Sequence, residues 1–499
     1  MSTEDQLKVS LPQGRLSCGV VDTAAGPCLA FRSVPYAAAP VGALRFQPPQ
    51  APASWAGERD ASKVGPVLPQ LPSRLANVMG VAPFEQAEDA LTVTVWTPST
   101  KGSRAVIVWL HGGAFMTGGG DLTWYDGSRL AAEQDVVVVA VNYRLGALGF
   151  LYAPGVSEGN LGLLDQEAAL SWVREHVGAF SGDAARVTVM GQSAGGISIG
   201  HLMSRPGWWA RRAIIQSGPM SLVPQPLDVA RRTGEAFLQA LQIEPGAPDA
   251  LAKAQAALLS AVLAAQGAAA RAYGATLPDP TDIGPPFVPV ADGKVLGGAG
   301  AFAADMKRAA GKADLMIGTV REEATCFLFD NPRLLGLPEL PVPPNASYWQ
   351  ARRPGATPMQ HLADFATFDM FEGGSLQFAR DAAKAGRKTF MYLFDWSPAG
   401  SRYKATHCID LPFVFGTHAS CSDSAMLAGA EPGPTNGLSA TVRGAVGAFA
   451  RDGDPAAGAG LPAWPACTAQ GLVRMHWGEV CEALVELDDP SNKHQGASA

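Results

Sequence analysis

The sequence predicts an α/β fold, a mostly parallel central sheet with helices packed on both faces. Three observations carry that expectation. Short apolar, β-rich runs alternate with helical segments from residue 105 onward. Two of these runs, 105–110 (AVIVWL) and 136–141 (VVVVAV), are apolar almost without interruption, as befits strands buried on both faces. The 499-residue chain is 47% hydrophobic, enough to fill the core of one large α/β unit.

Taken in order, the run 105–110 and the run 136–141 are followed by a helix over 165–177. Asp165 suits its start, and Ala169, Trp172, Val173 and Val177 share one face. Strands follow at 187–190, 213–216, 315–318, 390–394 and 472–476, with a small-residue helix over 194–203. Two regions break the rhythm. The Ala-rich stretch 227–273, interrupted by Pro and Gly at 245–248, reads as a helical cap insertion around 225–280. The Gly/Pro/Ala-rich stretch 421–437 reads as a loop. The expected organisation is a single domain over 1–488 and a disordered tail over 489–499, with no internal repeat.

Composition excludes several classes. Lys and Arg number 38 against 45 Asp and Glu, are scattered, and leave a net charge of −7, which argues against a nucleic-acid partner. Residues 1–15 are polar and lack the apolar core of a secretory signal. The stretch 256–270 is interrupted by Ser260, Gln266 and Gly267 and is too short to span a membrane. Seven cysteines, with no C-x-x-C pair, suggest neither a disulfide framework nor a metal site. A cytoplasmic chain with free thiols is expected. Oligomeric state leaves no mark on the sequence.

The frame G-x-S-x-G occurs three times, at Ser157, Ser193 and Ser198. With 56 Gly in the chain, accidental matches are expected, so the physics of the motif must choose. A nucleophilic serine of this kind sits on a strained strand-to-helix turn, and glycines let strand and helix approach. Ser193 follows the β-branched run Val187-Thr-Val-Met190 and opens a helix. Ser157 lies among Pro and Gly, and Ser198 falls inside the helix that Ser193 opens. Ser193 is the candidate.

Such a serine needs a base, an acid to orient the base, and donors for a developing oxyanion. His111-Gly-Gly-Ala-Phe115 directly follows a strand and offers free backbone N–H groups. For the acid, Glu322 and Glu323 follow the strand at 315–318, with Asp395 as rival. In an extended segment only one of the two glutamates would face the site. Of the histidines beyond them (361, 407, 418, 476 and 494), His407 and His418 are nearly equivalent by spacing.

Longer stretches narrow the choice. "VPYAAAPVGALRFQPP" (34–49), "EDALTVTVWTP" (88–98), "VAVNYRLGALGFL" (139–151) and "NLGLLDQEAALSWV" (160–173) resemble signatures of the type-B carboxylesterases. So do "GQSAGG" (191–196), "HCIDLPFVFG" (407–416) and "FARDGDP" (449–455). The resemblance runs from about residue 14 to 477. It implies the α/β-hydrolase fold, with Ser193 as nucleophile, His407 as base and Glu323 as acid. Gly113, Ala114 and Ala194 take the positions of the oxyanion donors. Asp395 and His418 then become structural.

The implied function is hydrolysis of small to medium, uncharged carboxylic esters through an acyl-enzyme, without cofactor or metal. Carbamate or anilide hydrolysis is the alternative on the same machinery, and a non-catalytic adhesion protein is the alternative of another class. Four positions depart from the family pattern: Gln192 for Glu, Ala324 for Gly, Ser181 for Gly, and Ala90 where secreted members carry a disulfide Cys.

Overall fold

A computed structural model describes residues 7–80, 83–458 and 460–485. The expected tail and His494 lie outside the described residues. The strands, in chain order, are β1 (Lys8–Leu11), β2 (Gly14–Thr23), β3 (Gly26–Pro35), β4 (Glu58–Ala61), β5 (Thr92–Thr97), β6 (Arg104–Leu110) and β7 (Val137–Val141). A two-stranded hairpin, β8 (Tyr152–Ala153) and β9 (Ser157–Glu158), stands apart. Then come β10 (Gly182–Gln192), β11 (Arg212–Gln216), β12 (Asp314–Val320), β13 (Thr389–Phe394), β14 (Val473–Trp477) and β15 (Cys481–Val485).

The main sheet runs β1-β2-β3-β5-β7-β6-β10-β11-β12-β13-β14-β15, with β4 beside β2. From β7 to β14 every neighbouring pair is parallel. Antiparallel pairs close both ends.

Successive residues on a strand face opposite ways, so continuous apolar runs must feed two cores. They do. Val106, Val108 and Leu110 of β6 join one buried cluster, with Val137, Val139 and Val141 of β7. Ala105, Ile107 and Trp109 join the other, with Val138, Ala140 and Met190. Helices cover each core.

Chain order places the site. After β6 the chain adds β7 on one side, then returns to lay β10 on the other. The loops leaving β6 and β10 therefore diverge from adjacent strand ends, where open α/β sheets gather ligands.

Two expectations shift. The helix assigned to 165–177 spans Leu161–His176. Its start is set by Asn160 in a left-handed conformation (φ 58°), which turns the chain four residues earlier. Asp165 does not cap it, because its carboxylate receives Arg144 Nε at 2.8 Å and Nη2 at 2.7 Å, and the Arg144 N–H at 3.0 Å. The stretch 421–437 is loop only at first, since a helix spans Pro432–Asp452. Prolines 432 and 434 fall in its first turn, where no N–H has an intrahelical partner to lose. The region 227–273 holds three helices, Leu227–Ala240, Ala250–Ala256 and Leu259–Thr276, broken at Pro245 and Gly246. No single helix among the described residues is long and apolar enough to cross a membrane.

The Arg144–Asp165 pair is sealed from water, with side chains 2% and 0% exposed. Removing one partner leaves a buried charge uncompensated. Asp165→Ala is expected to cost about 3–5 kcal/mol of stability. Urea unfolding should show it, against Asp228→Ala in an exposed helical pair with Arg232, which should leave the midpoint unchanged.

Candidate active site

Strand β10 ends at Gln192, and Ser193 takes φ 53° and ψ −120° before the helix Ala194–Ser204 begins. That backbone is strained for a residue with a Cβ, and it persists only where surroundings force it. The forcing is visible. The Ser193 N–H donates to Gln216 O on β11 at 2.9 Å. The turn is also compressed: a Cβ on Gly195 would lie 2.0 Å from Leu110 O, and one on Gly191 would lie 2.6 Å from Gly195 C. The other two framed serines are engaged elsewhere. Ser157 lies on β9, and Ser198 Oγ donates to Ala194 O at 2.7 Å inside the helix.

The loop after β6 is bent sharply, with Gly113, Ala114 and Phe115 at φ 107°, 55° and 61°. A Cβ on Gly113 would sit 1.9 Å from Thr117 O, so this turn needs glycine. Side chains brace it. Tyr143 Oη donates to His111 O at 2.7 Å, and the two rings stack 4.3 Å apart. Gly118 N donates to Gln70 Oε1, and Gly146 N to Phe115 O, both at 2.7 Å. Burial pushes the His111 imidazole down to about 4, so it stays neutral. The bracing uses neither the Gly113, the Ala114 nor the Ala194 N–H.

Beyond β12 the chain turns rather than staying extended, and both glutamates are buried. Alternation therefore does not separate them; their partners do. Glu323 Oε1 accepts from Val320 N at 2.9 Å, and Oε2 lies 2.5 Å from His407 Nδ1. Glu322 Oε2 instead accepts from Ala405 N at 3.1 Å and faces Arg353 at 3.6 Å. Glu322 thus anchors the loop that carries His407.

The rivals lie in other networks. Asp395 accepts from Arg321 and His476, His418 contacts Asn436, and His361 contacts Arg353 O.

With its Nδ1–H directed at Glu323, neutral His407 carries its lone pair on Nε2. Burial disfavours the imidazolium, but Cys408 and the Glu323 carboxylate outweigh it and raise His407 above its ordinary value. Phe371 and Phe327 wall the ring, with centroids 4.8 and 5.2 Å away. Phe371 lies on a π-helical turn, Phe368–Glu372, a rare geometry that recurs at functional sites. Periodicity gave no sign of either phenylalanine. Asp410, buried beside the same loop, receives Gln216 Nε2 at 3.3 Å; burial, then Glu323, pushes its carboxyl up to about 7.

Gln192 was expected only as a neutral replacement beside the nucleophile. It is 1% exposed, and its Nε2 lies 3.1 Å from His407 Nε2 and 3.4 Å from Cys408 Sγ.

Fold and strand-edge site together define an α/β hydrolase. Its solved neighbours include the Geobacillus stearothermophilus carboxylesterase EST55, with a TM-score of 0.82 at 30% identity over 99% of this chain and 100% of that one. A structure described as a PNB esterase reaches 0.81 at 30% identity, over 98% and 99%. The profile of the carboxylesterase family matches residues 5–336 and 345–480, and the chain belongs to that family. Curated relatives include the Probable N-octanoylanthranilate hydrolase AqdA2 of Rhodococcus erythropolis, 35% identical over 88% of this chain and 92% of its own. The Para-nitrobenzyl esterase of Bacillus subtilis (strain 168) is 35% identical over 93% and 94%. The Phenmedipham hydrolase of Pseudarthrobacter oxydans is 32% identical over 87% and 88%. This protein is a carboxylic ester hydrolase.

The elbow makes a structural prediction. An added Cβ at Gly195 meets only backbone, Leu110 O at 2.0 Å and His111 O at 2.7 Å, so the turn itself must move. Gly195→Ala should lower the Tm and abolish hydrolysis. Gly437→Ala, in open space on the helix Pro432–Asp452, should instead stabilise by about 0.5–1 kcal/mol.

Proposed function

We propose that the protein cleaves carboxylic esters through an acyl-enzyme formed on Ser193. The observation that carries this reading is the 2.5 Å contact between Glu323 and His407 beside the strained Ser193 turn. His407 Nε2 takes the Ser193 proton as Oγ attacks the ester carbonyl. The N–H groups of Gly113, Ala114 and Ala194 hold the oxyanion, and Glu323 keeps the ring in the right tautomer and stabilises the imidazolium. His407 returns the proton to the leaving alkoxide. Water, activated in turn by His407, then releases the acid. Apart from that water, these steps draw only on side chains and backbone N–H groups of the chain. The helices of 227–276 cap this edge of a single catalytic domain, and the seven free thiols suit the reducing cytoplasm.

The names of two relatives support a second reading, hydrolysis of anilides or carbamates whose leaving group is good. A panel of p-nitrophenyl esters of graded chain length, aryl carbamates and anilides decides between them by kcat/KM.

Ser193→Ala and His407→Ala should each remove nearly all activity, and the double variant should lose little more, because the two act as one unit. Ser157→Ala, Ser198→Ala and His418→Ala should stay within several-fold of wild type. Glu323→Gln should lose orders of magnitude in kcat at nearly unchanged Tm, whereas Glu322→Gln should lower the Tm more than the rate. The wild-type kcat/KM should fall as acid protonates His407, with the limb at or above the ordinary imidazole value of about 6.5. Retained activity in Ser193→Ala, or parity of His418→Ala with His407→Ala, would refute the assignment.

Gln192 bears no charge, so a cationic alcohol group finds no carboxylate beside the nucleophile. Acetylcholine should gain less than about 1.4 kcal/mol, or tenfold in kcat/KM, over its uncharged isostere 3,3-dimethylbutyl acetate. A larger preference would show another anion in the pocket.

A further inference from the structure

The ring nitrogen from which the proposed base would act already has a partner. In the resting structure the partner at His407 Nε2 is the Gln192 amide at 3.1 Å; no Ser193–His407 hydrogen bond forms among the described residues. The amide is held by both its hydrogens. One meets His407 Nε2, and the other meets Cys408 Sγ at 3.4 Å, from a residue whose own backbone is left-handed (φ 74°). With the ring neutral, as a general base must be, this orientation gives both amide hydrogens an acceptor. At the other end, a Cβ on Gly112 would lie 2.4 Å from Gln192 Oε1, so the side chain is wedged between the oxyanion loop and the base.

We propose that Gln192 is a positioning residue: its amide holds the Nε2 lone pair of His407 in the resting enzyme, and Ser193 takes that lone pair over when the reaction begins. The proposal rests on the triad reading above. A donor directed at neutral Nε2 favours the neutral ring, because an imidazolium would present N–H to N–H. Gln192 therefore opposes the groups that favour protonation. Those facing the ring are Glu323 from the turn after β12, and Cys408 and Asp410 from its own loop. Cys326 lies behind Glu323, and Phe327 and Phe371 add no charge.

The test reads Ser193 with diisopropyl fluorophosphate, which needs no knowledge of the natural ester. Oγ forms a bond to phosphorus, fluoride leaves, and His407 takes the proton. The pH dependence of the inactivation rate is followed for wild type, Gln192→Met, Gln192→Asn and Gln192→Glu, with folding checked by circular dichroism and Tm. Methionine matches the length without the donor, and asparagine keeps the amide but falls a methylene short. Both should move the acid limb upward from wild type by a similar amount. Gln192→Glu, a carboxylate against the ring, should move it further, by about one pH unit. Should Gln192→Glu fail to fold, the two neutral variants still decide. Limbs superimposable on wild type in folded variants, with only the Tm reduced, would mean that Gln192 merely packs, and the proposal falls. A wild-type enzyme that the reagent leaves active would overturn the triad reading itself, a distinct failure that takes this proposal with it.

Discussion

The site depends on one close approach, the backbone of Gly195 against the carbonyl end of β6. No side chain fits there, since a Cβ would stand 2.0 Å from Leu110 O. That contact sets how near the helix Ala194–Ser204 comes to the sheet, and hence where Ser193 is lifted. Parallel register does the rest. Gly191 pairs with Leu110, Gln192 with Gln216, and Gln216 with Gly318, so the ends of β6, β10, β11 and β12 share one edge. The loop after β6, Ser193 and Glu323 are neighbours because their strands end together.

Backbone strain gathers at the same edge. Ala114, Phe115, Ser193 and Cys408 all hold positive φ without being glycine. Each such residue costs on the order of 1–3 kcal/mol and must be over-determined by its surroundings. Here the restraints are identifiable: Gln216 O for Ser193, the Gly146 N–H for Phe115, and Tyr143 behind the loop at His111. The bidentate Arg144–Asp165 pair ties the segment that carries Tyr143 to the helix Leu161–His176. Stability and site geometry thus share residues, since the ion pair holds the segment whose Tyr143 braces the loop after β6.

The parallel part of the sheet was legible in the sequence because two-sided burial writes apolar runs, and β6, β7 and β10 to β13 carry them. The Ser193 turn was legible because only one of three matching frames follows a strand and opens a helix. Elsewhere, conformation is decided by contacts distant in sequence. Asp165 looks like a helix cap until Arg144 claims it. Pro432 and Pro434 look like loop residues, yet they start a helix. The choice of His407 over His418 came from family resemblance, and contact with a carboxylate 84 residues away could not be seen in spacing. Phe371 reaches the histidine through a π-helical turn that no propensity marks. Glu322 and Glu323 are adjacent and both buried, so alternation held no information; a turn sends one to the histidine ring and the other to its loop.

A neutral residue at 192 fits the electrostatics of this edge. Glu323, Glu322 and Asp410 already place three buried carboxyl groups around the His407 loop, and only the first is in contact with its ring. Glu322 leans on Arg353, while Asp410 forms no ion pair among the described residues, and burial and Glu323 raise its pKa to about 7. A fourth carboxylate, within hydrogen-bond reach of the ring, would meet the same desolvation cost and the field of its neighbours. It would be relieved only when His407 is charged, so it would favour the imidazolium, the form that could not act as the proposed base. An amide makes the opposite contribution. It meets the ring without adding charge, and its donors favour the neutral imidazole that the proposed mechanism requires. The departure from Glu at this position is therefore coherent with the crowding of acids around the His407 loop.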